Sequence, residues 1–278
     1  MTAPIRTRSW LFTPATRPER FAKASQAGAD VAILDLEDAV APGDKARART
    51  TALDYLTKNP SDGALHALRI NGLDTPAGIS DLDALLGSTA APDFLVLPKT
   101  ETAGHIEILD RLLTAAGKAT RLIGLIESAR GLAAVEAIAT ATPRLAGLML
   151  GAADMAADLG ATVAWEPLAF VRCRLIAACA LAGVVSVDSP YFDLHDEPGL
   201  KREVNGAVTF GFSAKAAIHP AQIGAINAAL TPSAEAVKRA RAILAENTKG
   251  VGTVDGQMID EAVARKARRT LFSAGLEA

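Results

Sequence analysis

The sequence predicts an α/β fold, a (β/α)8 TIM barrel with extra C-terminal helices, and three observations carry that expectation. Short runs rich in Val, Ile and Leu alternate with longer Ala-rich segments whose apolar residues recur at three and four, the pattern of repeated βα units. Half of the 278 residues are hydrophobic but only 4% are aromatic, which suits buried parallel strands covered by Ala-rich helices. The length fits a single barrel at least as well as two ordinary domains.

Eight strand candidates can be counted: Ser9 to Pro14, Val31 to Asp35, Leu65 to Ile70, Phe94 to Pro98, Arg121 to Ile126, Leu145 to Leu150, Val184 to Asp188 and Lys215 to His219. Between them the helix signals run from Arg17 to Gln26, Pro42 to Leu56, Ile79 to Leu86, Thr102 to Ala115, Ser128 to Thr140, Glu166 to Ala182 and Glu197 to Thr209. Gly28, Gly117 and Gly183 stand just past helical runs, where a left-handed cap favours glycine. Eight parallel strands close most economically into a barrel, with a doubly wound open sheet as the alternative. After the eighth strand, Pro220 to Leu230 and Pro232 to Asn247 read as helices. A Gly-rich stretch from Gly250 to Gly256 then leads, as a hinge would, to an amphipathic helix from Met258 to Phe272. We therefore divide the chain into a barrel over residues 1–230 and a helical arm over 231–278. The arm can pack on its own barrel or reach over the mouth of a neighbouring subunit.

With 29 basic and 31 acidic side chains spread along the chain, there is no electrostatic footprint for nucleic acid or an anionic membrane, and a small-molecule substrate is expected. Cys173 and Cys179 lie six residues apart in one helical stretch, on different faces, which argues against a disulfide and against a metal cluster. No apolar segment follows Arg6 and Arg8, and none approaches a membrane span, so a cytoplasmic protein is expected.

In a barrel of this kind the chemistry sits where strands end. Strand two runs into Asp35, Glu37 and Asp38, strand three into Arg69, strand four into Lys99, strand five into Glu127, and strand six through Gly151 to Asp154. Glu127 and Asp154 come from adjacent strands, about 5 Å apart, so both can reach one hard cation. Mg²⁺ fits one or two carboxylates plus waters, whereas zinc would call for His or Cys ligands; the competing reading is two solvated carboxylates. Arg69 suits bidentate capture of a carboxylate or an enolate oxygen, and equally an ion pair with Glu37; the two are compatible. Lys99 could form a Schiff base, but that chemistry needs no carboxylate pair beside it, so a substrate-contacting or ion-paired lysine is preferred. His219 is either a base or a structural group.

The strings Ser9-Trp-Leu-Phe-Thr-Pro-Ala, Ile33-Leu-Asp-Leu-Glu-Asp-Ala-Val, Arg69-Ile-Asn-Gly, Leu97-Pro-Lys-Thr-Glu, Leu125-Ile-Glu-Ser-Ala-Arg-Gly, Gly151-Ala-Ala-Asp-Met, Ala217-Ile-His-Pro and Gln257-Met-Ile-Asp together resemble the HpcH/HpaI aldolase and citrate lyase β-subunit family. Several motifs in one order are far more specific than any single one. The resemblance spans about Arg6 to Phe272. It implies a trimer or a dimer of trimers, Mg²⁺ held by Glu127 and Asp154, and an α-keto acid chelating the metal while Arg69 contacts it. It also implies an arm that brings Asp260 to a neighbour's site as acid/base, with Asp255 a weaker candidate. The substrate-contacting set is then Arg69, Glu127, Lys99 and Pro14, and the catalytic set Arg69, Glu37 and Asp260. The reaction implied is Mg²⁺-dependent cleavage or formation of a β-hydroxyacyl-CoA such as citryl-, malyl- or citramalyl-CoA, with an acyl-CoA thioester and an α-keto acid as partners. The base for the hydroxyl proton stays open between Glu37, a metal-bound water and the substrate carboxylate. The alternatives are a class II aldolase acting on a free hydroxy-keto acid, a citrate lyase β-subunit acting on an acyl-carrier-protein thioester, and a noncatalytic metabolite-binding protein. One departure is Thr13-Pro14-Ala15, where the family often has Val-Pro-Gly, and an alanine restricts the backbone there.

Overall fold

The computed structural model describes residues 7–58, 63–247, 252–255 and 257–276. Strands β1 (Ser9–Pro14), β2 (Val31–Asp35), β3 (Leu65–Arg69), β4 (Phe94–Leu97), β5 (Arg121–Ile126), β6 (Leu145–Leu150), β7 (Val185–Asp188) and β8 (Ala214–Ala217) pair in chain order, all parallel, and β1 closes the ring on β8. The closed barrel removes the open-sheet alternative.

Side-chain parity decides what lies inside. Trp10, Val31, Ile33, Ala67, Val96, Ile123, Leu125, Val187, Ala214 and Ala216 fill the barrel interior, while Leu34, Leu68, Leu95, Leu97 and Leu122 face the other way and pack under the helices. This two-residue alternation extends past the strand ends and sets the position of every group at the mouth.

The barrel helices begin with defined caps. Thr75, Thr102, Ser128 and Asp196 each accept a backbone N–H with their side chains at the starts of Pro76–Gly87, Ala103–Ala115, Ala129–Ala133 and Glu197–Phe210. One helix, Ala152–Leu159, escapes the sequence reading because two turns are too short for a periodic signal. It starts directly after β6 and ends on Gly160 in the left-handed region.

The last segment differs from expectation. Residues Gly252–Val254 and Gln257–Ile259 form an antiparallel hairpin, β9 and β10, so Met258 and Ile259 are extended and not helical. The helix starts only at Glu261 because the Asp260 carboxylate caps the Val263 N–H at 2.9 Å. Part of the expected hinge is therefore strand, while residues 250, 251 and 256 of it lie outside the described residues. The hairpin and the helices Ala234–Asn247 and Glu261–Ser273 share a small core of their own, built on Ala240, Ile243, Ile259, Ala267 and Leu271. Met258 and Phe272 stay exposed. Among the described residues no helix is long and apolar enough to cross a membrane.

Candidate metal and active site at the barrel mouth

Because Val31 and Ile33 point inward, so does Asp35; Ala67 likewise brings Arg69 inward, and Ile123 and Leu125 bring Glu127 inward. Adjacent strands thus deliver a carboxylate and a guanidinium in register, Asp35 opposite Arg69. The Asp35 carboxylate accepts two hydrogen bonds from the Arg69 fork, each 2.7 Å long. Arg69 Nη1 lies 2.7 Å from Glu37 Oε2, and the guanidinium stacks over the Phe12 ring at 4.8 Å. The Arg69–Glu37 contact lacks hydrogen-bond alignment, which leaves Glu37 Oε2 buried without a hydrogen-bond partner.

Lys99 would face outward by strand parity, since Leu97 does. A left-handed backbone, φ 49°, turns it instead to the mouth. Its backbone N–H donates to Glu127 Oε1 at 2.7 Å, and its ammonium lies 3.1 Å from Glu37, 3.0 Å from Asp154 and 3.7 Å from Glu127. One cationic group therefore sits among three carboxylates drawn from the segments just after β2 and β5 and from the helix after β6. Asp154 is half exposed in the first turn of that helix, while Glu127 is buried.

Burial, and after it the charge of Glu37, push the Glu127 carboxyl up to about 7. Burial is also the first cause that raises Glu37, against the opposing pull of Arg69. Burial works against the charge of Lys99, yet Glu127 and Glu37 outweigh it and hold the ammonium above its ordinary range. Desolvation of Arg69 is overcome in the same way by Asp35. The pattern is that of a negative site in need of more positive charge.

Gly151 follows β6 for a steric reason. A Cβ there would lie 2.4 Å from Glu127 Oε2 and 2.5 Å from Glu127 Cβ, so only glycine leaves room for that carboxylate. Above these groups opens a cavity of about 400 Å³. Asp35, Asp38, Arg69, Glu127 and Asp154 line its charged side, and Pro14, Leu125, Met149, Pro190, Phe192 and Ile218 line its apolar side, while Glu37 and Lys99 lie outside the lining.

The structure thus gathers Arg69, Glu37, Glu127, Lys99, Asp154 and Pro14 at one mouth. The cavity lining does not include Asp260. His219 caps the turn Pro220–Gln222, its Nδ1 accepting the Ala221 N–H at 3.2 Å, which is the structural role of the two weighed for it. The sequence reading missed that Asp35 takes the fork of Arg69, so Arg69 meets the cavity with one edge. It also missed Phe12, Phe192 and Ile218. Strand parity could have found Asp35 and Phe12, but Phe192 sits in a loop with no periodic signal.

A closed barrel with a carboxylate-rich mouth defines a class of small-molecule enzymes, and comparison with known proteins narrows it. The family model of the HpcH/HpaI aldolase/citrate lyase family matches residues 8–220. The chain is 37% identical to the L-malyl-CoA/β-methylmalyl-CoA lyase of Rhodobacter capsulatus, over 95% of this chain and 94% of that protein. Among solved structures, RipC from Yersinia pestis is 58% identical with a TM-score of 0.75, over 84% of this chain and 98% of that one. CitE from Mycobacterium tuberculosis, in complex with magnesium, acetoacetate and coenzyme A, is 36% identical with a TM-score of 0.80, over 97% of this chain and 98% of that one. The chain belongs to the HpcH/HpaI aldolase/citrate lyase family.

Proposed function

We propose that this protein is a Mg²⁺-dependent carbon–carbon lyase that cleaves, or forms, a β-hydroxyacyl-CoA, with an α-keto acid and an acyl-CoA on the other side of the reaction. The observation that carries the reading is the surplus of carboxylates around one cationic position, two of which, Glu127 and Asp154, line the cavity. The magnesium, acetoacetate and coenzyme A held by CitE, and the lyase activity named for the Rhodobacter relative, support it.

The residues fit the ion. Glu127 and Asp154 offer hard oxygen donors, and among the described residues no third His, Cys, Asp or Glu completes a cage. That suits Mg²⁺, which keeps positions for water and substrate oxygens. When bound, the ion supplies Lewis-acid polarisation of the oxygen that becomes the ketone. In the cleavage direction the Nη edge of Arg69 that faces the cavity, shared with Glu37, holds an oxygen of the hydroxy-acid part, while Asp35 keeps the guanidinium plane fixed. Glu37 Oε2, buried and without a hydrogen-bond partner, takes the hydroxyl proton. The carbon–carbon bond then breaks, its electron pair passing to a thioester enolate. Asp260 protonates that enolate carbon. Because Asp260 belongs to the C-terminal unit and does not line its own cavity, we assign it to the site of a neighbouring copy in a homo-oligomer, a trimer or a dimer of trimers.

Two experiments test this. The purified protein is incubated with Mg²⁺ and a panel of β-hydroxyacyl-CoA thioesters and their free acids. Keto-acid release from thioesters alone, abolished by a chelator, is expected; equal turnover of a free acid, or turnover indifferent to chelation, overturns the assignment. For the arm, inactive Asp260→Ala and inactive Glu127→Ala proteins are mixed under subunit exchange. Activity should return, because some interfaces pair an intact metal site with an intact arm. Mixed oligomers that remain inactive rule out action in trans.

A further inference from the structure

A second group of charges lies outside the barrel wall and takes no part in the chemistry above. Val187 and Ala214 point into the barrel, so Asp188 and Lys215, in register on β7 and β8, point out under the helices. There the Lys215 ammonium, fully buried, donates to Asp188 Oδ2 at 2.6 Å, to Glu203 Oε1 at 2.8 Å and to the carbonyl of Ser189 at 2.7 Å, which uses all three of its hydrogens. Asp188 Oδ1 accepts in turn from Arg172 Nε at 3.0 Å, and the Arg172 guanidinium lies over the Trp165 ring at 4.3 Å.

Two cations and a carboxylate buried together, with a second carboxylate at the edge, are a poor device for stability, because the desolvation of each buried charge is large and apolar side chains fill such space as well or better. What the cluster does provide is a fixed point for one backbone atom. Ser189 is followed by Pro190, which has no N–H and a locked φ, and by Tyr191, whose carbonyl accepts from Gln222 Nε2 at 2.7 Å. Gln222 also holds the N–H groups of Ile218 and His219 with its Oε1. Two side chains, one from β8 and one from the turn after it, therefore clamp the carbonyls of Ser189 and Tyr191 on either side of Pro190. Pro190, Phe192 and Ile218 are three members of the apolar side of the cavity, and Phe192 and Ile218 are partly exposed there.

We infer that Lys215 is a positioning residue. With Gln222 it sets the height of the Pro190–Phe192 wall opposite the carboxylates, and that wall fixes how tightly the apolar part of the substrate is held. The inference rests on the proposed lyase reading for its kinetic consequence but not for its structural one. The ion cluster acts on ground state and transition state alike, since it shapes the wall and touches no reacting atom. Its loss therefore raises KM and leaves kcat nearly unchanged.

The variant is Lys215→Met, which leaves Asp188 paired with Arg172 and Glu203 able to turn to solvent. Hydrogen exchange across residues 189–194 should accelerate, and the magnesium affinity read by calorimetry should stay as in the parent. KM for the thioester should rise about tenfold with kcat within about twofold. Phe192→Ala should raise KM similarly, and the double variant should be no worse than either single one, because both act through the same wall. If Lys215→Met does not fold, Gln222→Leu removes the second clamp and should give the same exchange and KM signature. Unchanged exchange in the segment, a loss confined to kcat, or KM effects that multiply in the double variant would overturn the inference. Accelerated exchange without any thioester turnover in the parent protein would instead count against the lyase reading alone.

Discussion

At the mouth, Asp35, Glu37, Asp38, Glu127 and Asp154 stand against two cations, Arg69 and Lys99, and most of them line the cavity; behind β7 and β8, Asp188 and the partly exposed Glu203 stand against Arg172 and Lys215 under the helices. Both clusters grow from strand ends of the same barrel, and one residue of parity separates them. Inward positions meet solvent and substrate at the mouth, whereas outward positions meet the helix layer. A charge imbalance is tolerable only where another cation can enter, so the open cluster carries it and the closed one is neutral.

The strongest way to break this comparison is to remove one carboxylate from each cluster. Glu127→Gln and Asp154→Ala should lower turnover by about a thousandfold or more while the folded state survives, since each relieves repulsion among like charges. Asp188→Asn should do the reverse, costing about 3 kcal/mol of stability by leaving the buried Arg172 without its carboxylate and Lys215 with Glu203 alone. Turnover assays and denaturant melts on the same proteins check both. A mouth variant that unfolds, or one that keeps near-normal turnover, would erase the distinction.

Arg69→Lys keeps the charge and loses the fork. Lysine cannot satisfy both Asp35 oxygens and still present an edge to the cavity, so kcat/KM should fall by about a hundredfold with little change in melting. Normal activity would reduce Arg69 to an ion pair for Asp35 and Glu37. Gly151→Ala leaves every charge in place and acts by crowding alone. The added methyl would occupy the space of the Glu127 carboxylate, so Mg²⁺ affinity measured by calorimetry should weaken by about 10- to 100-fold.

Much of the barrel was legible because its signal is repetitive. The ranges expected for β1, β2, β5 and β6 are those observed, and the charged groups after the apolar runs do meet at one face. What stayed hidden depends on single contacts. Lys99 reaches the mouth only through a left-handed backbone that no pattern announces. The helix that carries Asp154 is too short to be periodic. In the C-terminal segment Met258 and Ile259 fit a helical stripe as well as a strand, and pairing with Gly252–Val254 together with the Asp260 cap decided between them. Local pattern is weakest where one tertiary partner outweighs it.

The smallest expected effect separates the clusters by pH. Glu127 has an ordinary value of 4.5 and is pushed up to about 7 by burial and by Glu37, and Glu37 is shifted in the same direction. The folded protein therefore holds protons that the unfolded chain has released over this window. By linkage the metal-free protein loses stability as pH rises from about 4.5 through about 7, and that contribution is fully present only below the lower value. Thermal melts in chelator should show Tm falling by a few degrees across the window, a size set by the entropy of unfolding a chain of this length. Added Mg²⁺ should reverse the trend, because the ion needs the deprotonated carboxylates and releases their protons on binding. The reference is Glu127→Gln, which keeps the shape and cannot titrate, so its Tm should vary less with pH in chelator than that of the parent. A parent Tm flat across the window, or an equal slope in the variant, would place the pH sensitivity outside the mouth cluster.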